Sequence, residues 1–599
     1  MNYESTLVRS KLSNDIATQC KIENYSIFSK NNDWVDMFSR QMIYKALDYD
    51  DAYGFLTGSQ HALLSARVNK NISNVTSFSS MNFTYSGTQG SFVFRLPVGK
   101  SVIIDWGDGY FWSYTGQGTI PMFTESYYTV NGKYTIKIYG DYNSFTTLEI
   151  TGSAFDGYID GMVAFKGLTY LDISGTDFTG DVSSWSALSA LEYINANGTS
   201  IYGDVSSWAA LTALTHLDVG GTNVSGIITG WSALTSLDYL DFNATSVTGS
   251  VAGWGTAMPG LLYLDGSSTS ITGSVVSFVD ATGLLHIDLA DTTVSGSIAA
   301  WDPTLSLTYV DLENTSVSGS VAGWDSMTSL EYLELSSTSV TGNVAVWSAL
   351  TSLTHLGVAD TSLTGDISVW SALTALEYFD SENASFTGDV TGWSTLTSIK
   401  YMNLKLVPVT GAINGWITMT EINTLNIYGD ALTGDVSGLA ALTTLTNLNL
   451  GGGTGVTGVV TGYSALINLV ELNLGGTAVT GSVAGWGTLT EMLDIVIQST
   501  SLTGEVSGWY PMTKCIYYSV AISNVDFLST SNWKLANGAQ FFAISSGFTA
   551  TEADNALISF YNGQTTNADI YFAGNNGRTS ASDVAVAWLV AHGCTVDIA

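Results

Sequence analysis

Positive charge is what this sequence has least of. Its 599 residues hold 18 Lys and Arg against 52 Asp and Glu, a formal net charge of −34. A surface of that sign repels nucleic acid and anionic membranes, so neither is an expected partner. Cysteine is almost missing. Cys20, Cys515 and Cys594 are odd in number and far apart, which excludes a disulfide framework and offers no zinc spacing. Proline occurs six times. No apolar run approaches the ~20 residues of a spanning helix, so membrane insertion is not expected. The opening stretch MNYESTLVRSKLSND has no basic segment followed by an apolar one, and the expectation is a chain without a secretory signal. A nucleophile elbow, a phosphate loop and an HExxH pair are all missing, so no enzyme and no cofactor are expected.

What the sequence has is glycine in rhythm. Fifteen glycines from Gly180 to Gly504 recur every 23 residues, with two steps of 24. Five residues after most of them stands tryptophan, from Trp185 to Trp509; Phe278, Leu439 and Tyr463 fill the gaps. A fixed period in this range means a solenoid, in which each unit buries its apolar side only against its neighbours. The unit Leu168–Leu188, LTYLDISGTDFTGDVSSWSAL, generalises to LxxLxLxxTxVxGxVxxWxxL. That pattern resembles the leucine-rich repeat, and its GxV segment is similar to the longer plant-receptor variant with GxIP. The usual Asn of the family is Thr here, from Thr176 to Thr361 and again at Thr454, Thr477 and Thr500. Ala384, Val407 and Asp430 interrupt the column, which predicts a local irregularity between about 384 and 432. The resemblance implies a mainly β fold, with a parallel sheet on a concave face that is the usual binding face.

Side chains alternate along a strand, so the residues between the leucines point away from the core. One such column reads Tyr170, Tyr193, His216, Tyr239, Tyr263, His286, Tyr309, Tyr332, His355, Tyr378 and Tyr401. The one beside it reads Asp172, Asn195, Asp218, Asp241, Asp265, Asp288, Asp311, Glu334, Gly357 and Asp380. Past residue 401 both change: Thr424, Asn447, Glu471 and Asp494 follow in the first, Asn403, Asn426, Asn449 and Asn473 in the second. The aromatic and acidic members together form the candidate ligand-binding face. Rings edged by carboxylates suit sugars, which stack on ring faces, or a basic protein. Duplication of one ancestral repeat produces the same columns without a ligand, and both readings stand at this point. The histidines of the ladder are repeat variants rather than bases. The tryptophans read as core.

Four segments follow. Residues 1–75 carry eight of the basic residues, and Trp34, Met37, Phe38, Met42, Ile43 and Leu47 at helical spacing, which predicts a helical attachment segment. Residues 76–150 read as strands, and IDWGDG with YTIKIYG resembles a PKD-like β-sandwich. Its Asp105 and Asp108 suit turn stabilisation or calcium; without a DxDxDG-type loop calcium is weakly signalled. Residues 151–512 are the solenoid. Residues 513–599 hold a repeat remnant and an α/β cap. The expected function is a non-enzymatic bacteriophage virion protein of the fibre or receptor-binding kind. It would attach to other virion proteins through residues 1–75 and present its repeats to a host glycan or protein. The alternatives are a bacterial cell-surface adhesin and a passive spacer or capsid decoration. A homo-oligomer is compatible with the sequence.

Overall fold

The computed structural model describes residues 78–598 except 86–90, 106–110, 117–121, 125–131, 153–154, 160, 302–304, 430, 454 and 522–523. The expected helical attachment segment 1–75 and the turn bearing Asp108 lie outside the described residues. The chain forms two compact units. One reaches Leu191 and includes Thr199–Ile201; the other holds Glu192–Gly198 and Tyr202–Ala599.

In the first unit, β1 (Phe78–Tyr85), β2 (Ser91–Arg95), β3 (Ser101–Asp105), β4 (Phe111–Thr115), β5 (Met122–Thr124) and β6 (Gly132–Gly140) are antiparallel. β1, β3, β4 and β6 make one sheet, and β2 with β5 and β7 (Thr147–Thr151) makes another. Phe94 of β2 meets Tyr114 of β4 edge to face, with centroids 5.0 Å apart. Val102, Ile104, Ile138, Leu148 and Ile150 are buried around them. Here the small antiparallel sheets give way to parallel pairing. β7 pairs in parallel with Tyr170–Asp172, and β8 (Phe155–Tyr158) with Asp177–Asp181.

The second unit repeats one local geometry. Val205, Trp208, Leu211 and Leu214 are spaced by three. Backbone N–H groups donate from Trp208 to Val205, from Leu211 to Trp208 and from Leu214 to Leu211, at 2.8–3.0 Å. Such i to i+3 bonds make a 3₁₀ turn, in which residues three apart eclipse, so all four side chains face one way and are fully buried. The next residues leave as a strand, where alternation buries Leu217 and turns His216 and Asp218 to the other side. Because the repeat keeps its strand at a fixed place in each turn, with the one extra residue between Tyr239 and Tyr263 taken up outside the strands, these strands pair in register: Tyr193↔His216↔Tyr239↔Tyr263↔His286↔Tyr309↔Tyr332↔His355↔Tyr378↔Tyr401. The same parallel sheet continues through Thr424, Asn447, Glu471, Asp494, Tyr517 and Gln540 to Asp569 and Thr595.

Tryptophan fills the interior of most turns, and Phe278, Leu439 and Tyr463 fill the others. Trp301 and Trp324 stack at 6.3 Å, Trp347 and Trp370 at 6.3 Å, and Trp486 and Trp509 at 6.2 Å. Burial of each indole removes apolar surface worth roughly 4–6 kcal/mol. Several indoles donate Nε1–H to a carbonyl of the preceding turn, as Trp231 does to Val205 at 3.2 Å. Tyr463 keeps that bond from its hydroxyl, to Val436 at 3.1 Å, which is how it substitutes for tryptophan. The threonine column closes the opposite corner. Ten of its buried Oγ1 groups donate to the carbonyl three residues back, as Thr222 to Val219 at 2.7 Å and Thr338 to Leu335 at 2.6 Å. The repeated glycine is held at positive φ, +123° at Gly226, where a Cβ would fall 2.3 Å from Asp204 Oδ1 of the turn before.

The predicted irregularity is a gap in the second sheet, the one formed by the GxV segments. That sheet runs to Ser385–Thr387 and begins again at Thr410–Ala412, with a single bridge, Asp389↔Thr410, between. Pro408 occupies the position where the strand would start, and it has no N–H to donate. Towards the C-terminus, helices Ala550–Asn562 and Asp583–Ala591 join the last strands. Thr549 and Glu552 form a capping box at the first, and buried Asp554 accepts from Thr579 N at 3.1 Å and Ser582 Oγ at 2.6 Å.

Candidate binding face

The aromatic residues expected on the strand face form one stack. From Tyr193 to Tyr401 ten rings follow one another at 4.0–4.5 Å between centroids, within 17° of parallel. Strands ~4.8 Å apart set this spacing, and a slight tilt closes the rings to contact. Each inner ring therefore has both faces covered by its neighbours. The surface shows ring edges and phenol oxygens. Stacking a sugar on the inner rings, as the sequence suggested, has no open face to use. Tyr170 and Asp172 lie on a strand of the first unit, where Asp172 Oδ1 accepts from Ser174 N at 3.0 Å and Ser174 Oγ at 2.7 Å.

The carboxylates beside the rings have a local task the sequence did not reveal. Each accepts the backbone N–H two residues on, and so closes the turn that leaves the strand. Asp241 takes Asn243 at 3.0 Å, Asp265 takes Ser267 at 3.0 Å, Asp288 takes Ala290 at 3.0 Å, Asp311 takes Glu313 at 3.1 Å and Asp380 takes Glu382 at 3.1 Å. Asp218 takes Gly220 N at 3.1 Å and also Asn197 Nδ2 at 3.1 Å. Glu334, one methylene longer, takes Ser336 N at 3.0 Å and bends over Gly357, where a Cβ would collide with its oxygens. Its second oxygen meets His355 Nε2 at 3.1 Å. The one signal in the sequence is that Asn takes the place of Asp at 195 and from 403 on, since both offer an Oδ1 acceptor.

Closed turns and stacked rings bury these groups. Asp241 is 5 % exposed, and Asp218, Asp265 and Asp311 are 8 % exposed. Burial pushes Asp241 and Asp288 up to about 7 and Asp311 up to about 6; the neighbouring carboxylates add to the rise, and the bonds from Asn243, Ala290 and Glu313 oppose it. Burial lowers His286 to about 4. Burial, with the flanking carboxylates, pushes Tyr239 up to about 12 and Tyr263, Tyr309, Tyr332 and Tyr378 higher. Asp241, Asp288 and Asp311 thus lie near the point of losing their protons at neutral pH, beside phenols that keep theirs. Among the described residues no cluster of three or more acidic, His or Cys side chains has metal-binding geometry.

No protein-family model and no curated protein matches the sequence. Solved structures do. The ectodomain of the Arabidopsis thaliana receptor kinase GASSHO1/SCHENGEN3 matches with a TM-score of 0.55 at 16% identity, over 70% of this chain and 52% of that one. A TDR receptor matches at 0.59 and 19%, over 70% and 74%. The Arabidopsis HAESA ectodomain matches at 0.57 and 18%, over 69% and 71%. The chain folds as a leucine-rich-repeat solenoid. It spans about half the length of the first of these receptors. The leucine-rich-repeat scaffold places the ring and carboxylate columns on its parallel sheet, with Thr in place of the usual Asn at every turn but those of Ala384, Val407 and Asp430.

Proposed function

We propose that this leucine-rich-repeat protein is a non-enzymatic binding protein whose strand face, from Tyr193 to Asp380, takes a cationic polypeptide. The observation that carries the reading is the in-register row of carboxyl groups from Asp218 to Glu334, taken up again at Asp380 after Gly357, beside the stacked Tyr and His rings on a solenoid almost free of bases. Between Leu168 and Met512 the sequence holds 31 acidic residues and only Lys400 and Lys405 as bases. Both are already paired, Lys400 with Glu377 and Lys405 with Glu382, each at 2.6 Å. Carboxylates partly withdrawn from water give stronger charge-assisted bonds to Lys or Arg than exposed ones. The covered ring faces favour this ligand over a stacked sugar. The HAESA ectodomain, similar in fold, was solved with a peptide hormone ligand.

The setting we propose is a bacteriophage virion, with residues 1–75 as the attachment segment and 76–150 as a PKD-like module; a bacterial surface is the alternative. It rests on the change of composition at the N-terminal end and the WGDG motif. Its absence from purified particles would remove that setting.

The binding reading is tested by titrating the full chain with an oligolysine peptide at low salt. In the triple variant Asp241→Asn, Asp265→Asn, Asp311→Asn, the turn-closing Oδ1 remains and the charge goes. Affinity is expected to fall at least about tenfold. Equal affinity in the variant would sink the reading.

A further inference from the structure

The ring stack ends at Tyr401. One face lies 4.5 Å from Tyr378. On the other side the residue in register is Thr424, whose short side chain cannot cover the phenol end. Beyond it the sheet carries amides. Asn426, Asn449 and Asn473 stand in register on three successive turns. Each spends its Oδ1 on the turn: Asn426 accepts from Tyr428 N at 3.2 Å, Asn449 from Gly451 N at 3.2 Å and Asn473 from Gly475 N at 2.9 Å. Their Nδ2 groups have no protein acceptor among the described residues, and all three side chains are half-buried.

Glycine keeps the row clear. A Cβ at Gly451 would fall 2.8 Å from Asn473 Oδ1 and 2.9 Å from both its Nδ2 and the Tyr428 ring. Upstream, the same position carries Asn243, Ser267, Ala290, Glu313 or Ser336, with Gly220 the exception. The Tyr428 ring, 39 % exposed, borders the row. The charges closest by are engaged: Lys405 with Glu382, and Glu471 with Asn447 Nδ2 at 2.8 Å. The result is a strip floored by unspent amide donors, with one open ring face at its head and the Glu471 carboxylate at its edge.

We propose that Tyr401, Asn426, Asn449 and Asn473 form a binding site for a neutral oligosaccharide, adjoining the acidic row where Tyr401 Oη donates to Asp380 Oδ2 at 3.3 Å but recognising a different ligand. The C–H face of a pyranose stacks on the open side of Tyr401. Its hydroxyl or N-acetyl carbonyl oxygens accept from the Nδ2 donors. The spacing argues against an extended peptide. Donors on adjacent strands repeat every ~4.8 Å, while carbonyls on one side of an extended chain recur every ~6.7 Å. Leaving such donors empty against a ligand that cannot accept from them costs affinity, which gives the site its selectivity.

The test titrates the full chain with maltohexaose, cellohexaose and chitohexaose at roughly 0.5 M NaCl, where exposed charges are screened. At least one is expected to bind, and to slow amide hydrogen exchange over 423–428, 446–451 and 470–475. The triple variant Asn426→Asp, Asn449→Asp, Asn473→Asp keeps every turn-closing oxygen and copies the residue used upstream. It should weaken binding at least about tenfold while circular dichroism stays unchanged. Tyr401→Leu, which removes the ring and alters no turn, should weaken it as well. The proposal is overturned if none of the three sugars binds, if protection falls elsewhere, or if either variant binds as the natural chain does. Oligolysine binding at low salt reports separately on the acidic row.

Discussion

From Tyr193 to Asp380 the strand face carries stacked rings and carboxyl groups; from Asn403 to Asn473 the same strand positions carry Asn beside Thr and Glu. The backbone does not register the change. Lys405 N donates to Asn403 Oδ1 at 3.1 Å just as Asn243 N donates to Asp241 Oδ1 at 3.0 Å. The scaffold needs an oxygen acceptor at that point and is indifferent to what the other side-chain atom is. That second atom is where the halves part. In the first it is a carboxyl oxygen crowded by its like on most turns, an arrangement that is unfavourable while charged. In the second it is an amide nitrogen with a proton to give. One repeat geometry thus supports two surfaces of different chemistry.

The largest expected effect lies where the halves do not differ. Trp324→Ala, under the acidic half, and Trp486→Ala, under the amide half, should each cost about 3–5 kcal/mol in denaturant unfolding, because both indoles are fully buried. A large inequality between the two would show that the core also changes near residue 401.

The next effect separates the halves by pH. Asp241 and Asp288 sit at about 7 in the folded chain and at 3.8 when free. Between those values the folded state binds more protons than the unfolded one, so stability falls as pH rises from about 4 to about 7. His286, lowered to about 4, acts in the opposite sense up to its ordinary 6.5, and the carboxyls outnumber it. Thermal unfolding should therefore occur at a higher temperature at pH 5.5 than at pH 8. The variant Asp241→Asn, Asp288→Asn, Asp311→Asn, which makes the first half resemble the second, should flatten that dependence and raise the melting temperature at pH 8. A dependence as steep as in the natural chain would place its origin elsewhere.

A smaller effect tests whether the turn-closing task is shared. Asp241→Ala and Asn449→Ala each lose one bond to the backbone, worth about 1 kcal/mol net. At pH 8 the loss at Asp241 should be partly offset by removal of a crowded charge, so its measured cost should be the lesser. The smallest concerns the stack itself. His286→Tyr replaces one ring by another between Tyr263 and Tyr309, and should leave the melting temperature within about a degree.

Much of this was legible from spacing. The 23-residue beat located the turns, the strands and the buried tryptophans, and the loss of Thr at 384, 407 and 430 marked the place where the second sheet is interrupted. The columns of the face were also legible, residue by residue. Their use was not. Tyr in a column does not say which way a ring tilts, and the rings turned their faces to one another. Asp in a column reads as a surface charge, until the turn two residues later is seen to fold onto it. Nor did the sequence single out Asn426, Asn449 and Asn473, because an Asn that closes a turn and an Asn that offers a donor are the same letter.

The sequence by itself determined the period, the register and the identity of each row, since a repeat that varies by no more than one residue forces like residues into line once turns stack. Only the tertiary structure decided what each row exposes. Strands ~4.8 Å apart are close enough for rings to cover each other and for turns to withdraw carboxylates from water, and that distance exists only between turns, not within one.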